Sequence, residues 1–215
     1  MKNLQYKIIL LRHAESEKNL KKIHGGQGEA LTLLGIEQAK NIAQILERKT
    51  DINKLKICTS TSFHTQATAK VISSELNIPV EVPLLFKPLF LGVADGKSEF
   101  ELAEKYPEIQ MLFDSWRKRE IDIKKLVIPE MESYMDFWHR GEKLLKQVVS
   151  DKDVLMVCSN SLMILLTNFM LGNHPIKTDK YKHITIKNCD MITFLTSDFK
   201  KFTLCSDLTT LDIFR

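Results

Sequence analysis

The sequence predicts an α/β fold: a three-layer α/β/α sandwich on a mostly parallel central sheet, with a helical cap inserted in it. Three observations carry the prediction. Short apolar runs alternate with stretches of helical periodicity through residues 6–82. The alternation resumes at the apolar run 154–157, which leads into another helix. Between them, residues 86–130 lose the strand pattern and carry Pro88, Gly92, Gly96, Pro107 and Pro129 around short amphipathic pieces.

Residues 6–11 read as a buried strand that ends at Arg12 and His13. Leu33, Leu34, Ile36, Ala39, Ile42, Ala43 and Leu46 recur at helical spacing, with Thr32 as the N-cap. A second strand is expected at 55–58, a helix at 62–76 that stops before Asn77 and Pro79, and a short strand at 80–82. Within the cap, 98–105 and 108–119 read as helices. Residues 132–149 form the next helix, 154–157 the next strand, and a helix then runs to 171. The last strands are expected at 184–187, 191–195 and 202–205, with a hairpin at Lys187-Asn188-Cys189-Asp190. The whole of residues 1–215 reads as a single domain.

Composition narrows the function classes. The 215 residues are 44% hydrophobic and 27% charged, as in ordinary globular proteins. A net charge of +4, from 31 basic and 27 acidic residues, is too mild and too evenly spread to argue for a nucleic-acid partner. The apolar run 8–11 is too short for a signal peptide, and Thr167 and Asn168 break the longest later run, so no membrane span is expected. Cys58, Cys158, Cys189 and Cys205 form no CxxC pair; free thiols in a reducing cytoplasm are expected. No His, Cys or carboxylate spacing fits a metal site, and no cofactor is expected.

In an open α/β sheet, ligands bind beyond the carboxyl ends of the strands. Three such ends deserve inspection: Arg12-His13, Cys58-Thr59-Ser60 and Cys158-Ser159-Asn160. The first continues as Ala14-Glu15-Ser16-Glu17-Lys18-Asn19. An arginine offers a rigid donor fork for phosphate oxygens. A neutral histidine held at one ring nitrogen can attack phosphorus with the other. Ser16 and Asn19 add donors, and His24 stands in the loop before Gly25 and Gly26.

Arg12-His13-Ala14-Glu15-Ser16-x-x-Asn19 resembles the signature of the histidine phosphatase (phosphoglycerate mutase-like) superfamily, with Ala14 where glycine is usual. Further segments are similar in order: Gly26; Leu31-Thr32-x-x-Gly35-x-x-Gln38-Ala39; residues 55–69; Gly92-x-x-x-Gly96; Tyr106-Pro107-Glu108; Glu132-Ser133; and 154–157. The resemblance spans nearly the whole chain. It implies a phosphoglycerate mutase-like sandwich, His13 as a nucleophile that forms a phosphohistidine, Arg12 beside it, and Gly26 facing the phosphate. Dimers are common on this scaffold, so a homodimer is possible.

The resemblance is incomplete at three positions. His64 stands where it places a second arginine, Pro88 where it places an acid glutamate, and Ser159, followed by Asn160, where it places a second histidine. The six histidines are 13, 24, 64, 139, 174 and 183, and none lies within a few residues of Ser159. The expectation is a protein that binds phosphate or a phosphorylated small molecule through Arg12, His13, Ser16, Asn19, Gly26, His64, Ser159 and Asn160. It would be a pseudophosphatase or a strongly impaired phosphatase; the alternative is an active phosphomonoesterase with a rewired pocket.

Overall fold

The computed structural model describes residues 5–148, 150, 152–178, 180–198, 201–206 and 209–210. A six-stranded sheet holds β1 (Tyr6–Arg12), β2 (Leu55–Thr59), β3 (Val80–Glu81), β4 (Asp153–Cys158), β5 (Met191–Thr196) and β6 (Thr203–Cys205), in the order β3-β2-β4-β1-β5-β6. The first four strands in that row run parallel, while β5 is antiparallel to β1 and β6 to β5.

Apolar side chains on both faces of β1 explain its unbroken hydrophobic run. Ile9 and Leu11 join Ile57, Leu155 and Val157 in a core beneath α2 (Leu33–Lys49) and α3 (Phe63–Leu76). Ile8 and Leu10 join Met156 and Phe194 in the opposite core, covered by α6 (Tyr134–Val148) and α7 (Asn160–Met170). Strands buried on both faces carry no polar alternation. The helix ends follow local chemistry: Thr32 Oγ1 accepts from Gly35 N at 2.9 Å to cap α2, and Asn77 closes α3 in the left-handed region at φ 55°.

The expected cap contains α4 (Glu99–Lys105), capped by Ser98 and Glu101, and α5 (Pro107–Arg117), which opens on its proline. Its apolar residues, Leu102, Ile109, Phe113 and Trp116 among them, share the core under α6 and α7. A half-buried brace holds the chain that leads into the cap. Arg140 of α6 donates to the carbonyls of Leu85 (3.1 Å), Lys87 (2.6 Å) and Pro88 (3.2 Å), and pairs with Glu132 at 2.6 Å.

One expected strand is absent. Residues 184–187 form no ladder, although the turn beyond them exists: Asp190 N donates to Lys187 O at 3.0 Å, with Cys189 at φ 62°. Ile184 and Ile186 are buried and alternate with exposed neighbours, which imitates a strand. Their segment is held by side chains instead, as the Ile186 carbonyl accepts the Arg12 guanidinium. The other elements lie within a few residues of expectation, and Val149, the expected end of α6, lies outside the described residues.

Candidate phosphate site

The carboxyl ends of β1 and β4 meet at the site. Arg12 pairs with Cys158 in the ladder, and His13 N donates to Cys158 O at 3.0 Å, so residues 12–13 and 159–160 are neighbours. The loop after β1 is pinned from three sides. Ala14 N donates to Thr68 Oγ1 of α3 at 3.1 Å, Glu15 N to Gln38 Oε1 of α2 at 2.9 Å, and Asn188 Nδ2 to His13 O at 2.9 Å. Residues from distant parts of the chain thus fix one short loop.

A cavity of about 390 Å³ opens over this loop. Arg12, His13, Asn19, Gly26, His64, Ser159 and Asn160 all line it, as do Pro88 and His24. Ser16 does not. It is fully buried, and its hydroxyl and backbone N–H both donate to Asn19 Oδ1, at 3.1 and 3.0 Å. Asn188 donates to the same oxygen at 3.1 Å, so Asn19 keeps its amide nitrogen for the cavity. Ser16 therefore holds Asn19 from behind the cavity wall. Gly26 reaches the wall, but its N–H donates to Asp95 Oδ2 at 2.9 Å.

His13 is held as a neutral nucleophile would be. Its Nδ1 lies 2.8 Å from the carbonyl of Ala14, which can only accept, so the ring proton sits on Nδ1 and Nε2 keeps its lone pair. Burial, the adjoining His64 and the charge of Arg12 all hold the imidazole well below its ordinary pKa. Arg12 donates to Ile186 O through one terminal nitrogen, while its Nε is buried without a partner.

His64 packs its ring 4.0 Å, centroid to centroid, from that of His13. Burial, with Lys18 and Arg12 nearby, depresses its pKa to about 3. Its Nδ1 is buried with no partner and faces Gly28, whose φ is +90°. A Cβ on Gly28 would stand 2.1 Å from that nitrogen, so the glycine is what admits the imidazole.

Several wall residues escaped the sequence reading. Lys18 is largely buried at the wall and donates to Gly25 O; it occupied an unspecified place in the motif. Arg117, at the end of α5, reaches the cavity, with Nη1 2.7 Å from Glu99 and 3.2 Å from Asp114. His24 stacks on Phe113 at 4.4 Å and lies 3.4 Å from Arg117 Nη2. Trp116 also lines the cavity, whereas Trp138 packs against Phe169 and His174. Among the described residues of the wall, Glu99 is the one carboxylate. Cys158 is buried, and burial pushes its thiol pKa up, away from nucleophilic use.

Two buried imidazoles and two half-buried ones make a pH prediction. Burial lowers His13, His64 (to about 3), and His24 and His183 (each to about 4), from an ordinary value of 6.5. Below pH 6.5 the unfolded chain takes up these protons while the folded chain does not, so stability rises with pH across that window. It is fully present above about 6.5 and declines as pH falls toward 4. Thermal melts at pH 7.5 and 5 check this; an equal or higher midpoint at the lower pH would rule it out.

Comparison with known proteins agrees with this geometry. The family profile "Histidine phosphatase superfamily (branch 1)" matches residues 8–204. The chain is 30% identical over 164 residues to 6-phosphofructo-2-kinase/fructose-2,6-bisphosphatase of Gallus gallus, and equally so to form 4 of Homo sapiens. Each match covers 76% of this chain and 32% of the relative, so the matched part is about a third of these curated relatives. Among solved structures, a mycobacterial glucosyl-3-phosphoglycerate phosphatase superposes with a TM-score of 0.75 at 20% identity, over 94% of this chain and 97% of that one. The phosphoserine phosphatase of Entamoeba histolytica gives 0.71 at 21% identity, over 96% and 98%. No helix among the described residues is long and apolar enough to cross a membrane. With the profile running from β1 to β6 across the loop that carries Arg12 and His13, the chain belongs to branch 1 of the histidine phosphatase superfamily.

Proposed function

We propose that the chain binds a phosphorylated small molecule at Arg12 and His13 and hydrolyses phosphate esters far more slowly than a complete phosphatase. It is, on this reading, a pseudophosphatase or a strongly impaired enzyme. The carrying observation is the contrast between the two halves of the cavity. One half offers Arg12, Asn19 and a neutral His13 with a free Nε2. The other offers Pro88, Ser159 and Asn160, and the nearest thing to an acid, Glu99, is already ion-paired to Arg117 at 2.7 Å.

The chemistry follows from that contrast. Attack by His13 Nε2 on phosphorus forms a P–N bond and breaks the P–O bond to the leaving oxygen. That oxygen needs a proton as it departs, and among the described residues of the wall the one carboxylate, Glu99, is held by Arg117. A missing general acid costs about 10²–10⁴ in rate. A missing donor to the developing charge costs about 10²–10³, and such losses do not simply add. Binding suffers less, because a guanidinium holds a phosphate without any proton transfer.

A second reading, an active phosphomonoesterase that runs through a phosphohistidine, is favoured by the neutral state of His13. One experiment separates the two. Turnover of a panel of phosphate esters, phosphohistidine included, is compared for the wild type and His13→Ala, with inorganic phosphate binding measured on both and on Arg12→Ala. The expected result is weak or no turnover and phosphate affinity about tenfold lower in Arg12→Ala, in line with the loss of charge-assisted hydrogen bonds. Brisk turnover that vanishes in His13→Ala would replace the first reading by the second. Phosphate affinity unchanged in Arg12→Ala would remove both.

A further inference from the structure

We infer that the ligand carries a single phosphoryl group on a flat, apolar body, such as an aryl group, rather than on a doubly phosphorylated sugar. The inference rests on the phosphate site proposed above and concerns the rest of the same cavity. Away from Arg12 and His13 the apolar part of the wall is Leu89, Leu91, Phe113, Trp116, Leu126 and Ile164, set among polar groups of which Ser161 is bonded to Leu89 N and Ser159 and His24 is stacked on Phe113, while His183 also faces the cavity. A sugar enclosed there would bury several hydroxyls, and each buried hydroxyl needs a partner. Those six side chains supply none apart from the indole N–H. The hydroxyl of Tyr134, also in the wall, accepts from Tyr181 at 3.0 Å, which leaves it one O–H to donate, too few for the several hydroxyls of a sugar.

Charge argues the same way. A second phosphate would look to Arg117 and Lys22, the outer cations of the wall. Both are already compensated: Arg117 by Glu99 at 2.7 Å and Asp114 at 3.2 Å, Lys22 by Glu99 at 3.7 Å. A second anion there would meet the carboxylate of Glu99 as well. Lys18 and Arg12 lie at the inner end, where one phosphoryl group suffices for them. A cavity of about 390 Å³ falls in the range that encloses small organic ligands.

The test is calorimetric titration of the whole chain with inorganic phosphate, glycerol 2-phosphate, 1-naphthyl phosphate and fructose 2,6-bisphosphate, repeated on Arg12→Ala and Trp116→Leu. The expected result is that 1-naphthyl phosphate binds about tenfold or more tighter than inorganic phosphate, as burial of its rings predicts, while glycerol 2-phosphate gains nothing. Its affinity falls in Arg12→Ala, and in Trp116→Leu the ratio of naphthyl phosphate to phosphate affinity drops. The wild-type series decides the matter even if Trp116→Leu does not fold. Three outcomes overturn the inference alone: naphthyl phosphate no tighter than phosphate, naphthyl binding untouched by Arg12→Ala, or fructose 2,6-bisphosphate tightest. Binding of none of the four, phosphate included, overturns the phosphate site itself and the inference with it.

Discussion

Pro88→Glu combined with Ser159→His is expected to raise phosphate-ester hydrolysis by about 10²–10⁴-fold, the usual contribution of a positioned acid or base. Both positions line the cavity that holds His13, and residue 159 follows the β4 residue that pairs with Arg12. The backbone tolerates the exchange. Ser159 is the N-cap residue of α7, but its side chain makes no capping hydrogen bond, so α7 loses nothing there. The carbonyl of residue 88 stays clamped by Arg140, which fixes where a glutamate at that point would be presented. The gain should be larger for an ester with a poor leaving group than for 4-nitrophenyl phosphate, because only the former needs the proton. The check is kcat/KM on both substrates. A folded double variant with no gain on either would place the deficit elsewhere, with His64 the next position to change.

Gly92→Ala is expected to destabilise the fold by about 3 kcal/mol, among the larger effects of a single substitution. Gly92 has φ +58°, where a Cβ costs about 1–2 kcal/mol on its own account. That Cβ would also lie 1.9 Å from Pro129 O and 2.5 Å from Met131 N. Both are backbone atoms, so no side-chain rotation relieves the contact. The two chain segments would have to separate, breaking the bridge between Leu91 and Met131 and the hydrogen bond from Val93 N to Pro129 O at 3.1 Å. For a chain of this size the melting midpoint should fall by roughly 10 °C. Leu89 and Leu91 line the cavity, so ligand affinity should weaken as well. A midpoint within about 2 °C of wild type would mean that the close approach does not matter to stability.

How far the sequence was readable depends on which force shaped each part. The strands β1 and β4 were plain, since burial on both faces leaves an uninterrupted apolar run. The end of α3 was plain too, because Asn77 takes the left-handed conformation there. Residues 184–187 misled because Ile184 and Ile186 bury alternately without a neighbouring strand; periodicity reports burial, not pairing. Arg12, His13 and Asn19 belong to one local sequence pattern, and the structure brings all three to the cavity wall. Ser16, expected to add a donor, lies outside the cavity wall and bonds Asn19 instead, which no local pattern announces. Lys18 and Arg117 were missed because a lysine or arginine in an amphipathic stretch reads as solvent-facing unless something shows which way it turns. Trp116 is buried in the core and also forms part of the wall.

The place of β1 in the sheet has a consequence for the order in which the protein can be made. Ile8 pairs on one side with Val154 and on the other with Phe194, so the first strand of the chain lies between two of the last. Asn188, just ahead of β5, completes the hold on His13. A nascent chain leaving the ribosome carries Arg12 and His13 with neither neighbouring strand in place until β4 has been made. Contacts so distant in sequence form slowly, and unpaired strands exposed meanwhile invite aggregation. The loop that carries Arg12 and His13 is thus synthesised well before the strands that give it its shape.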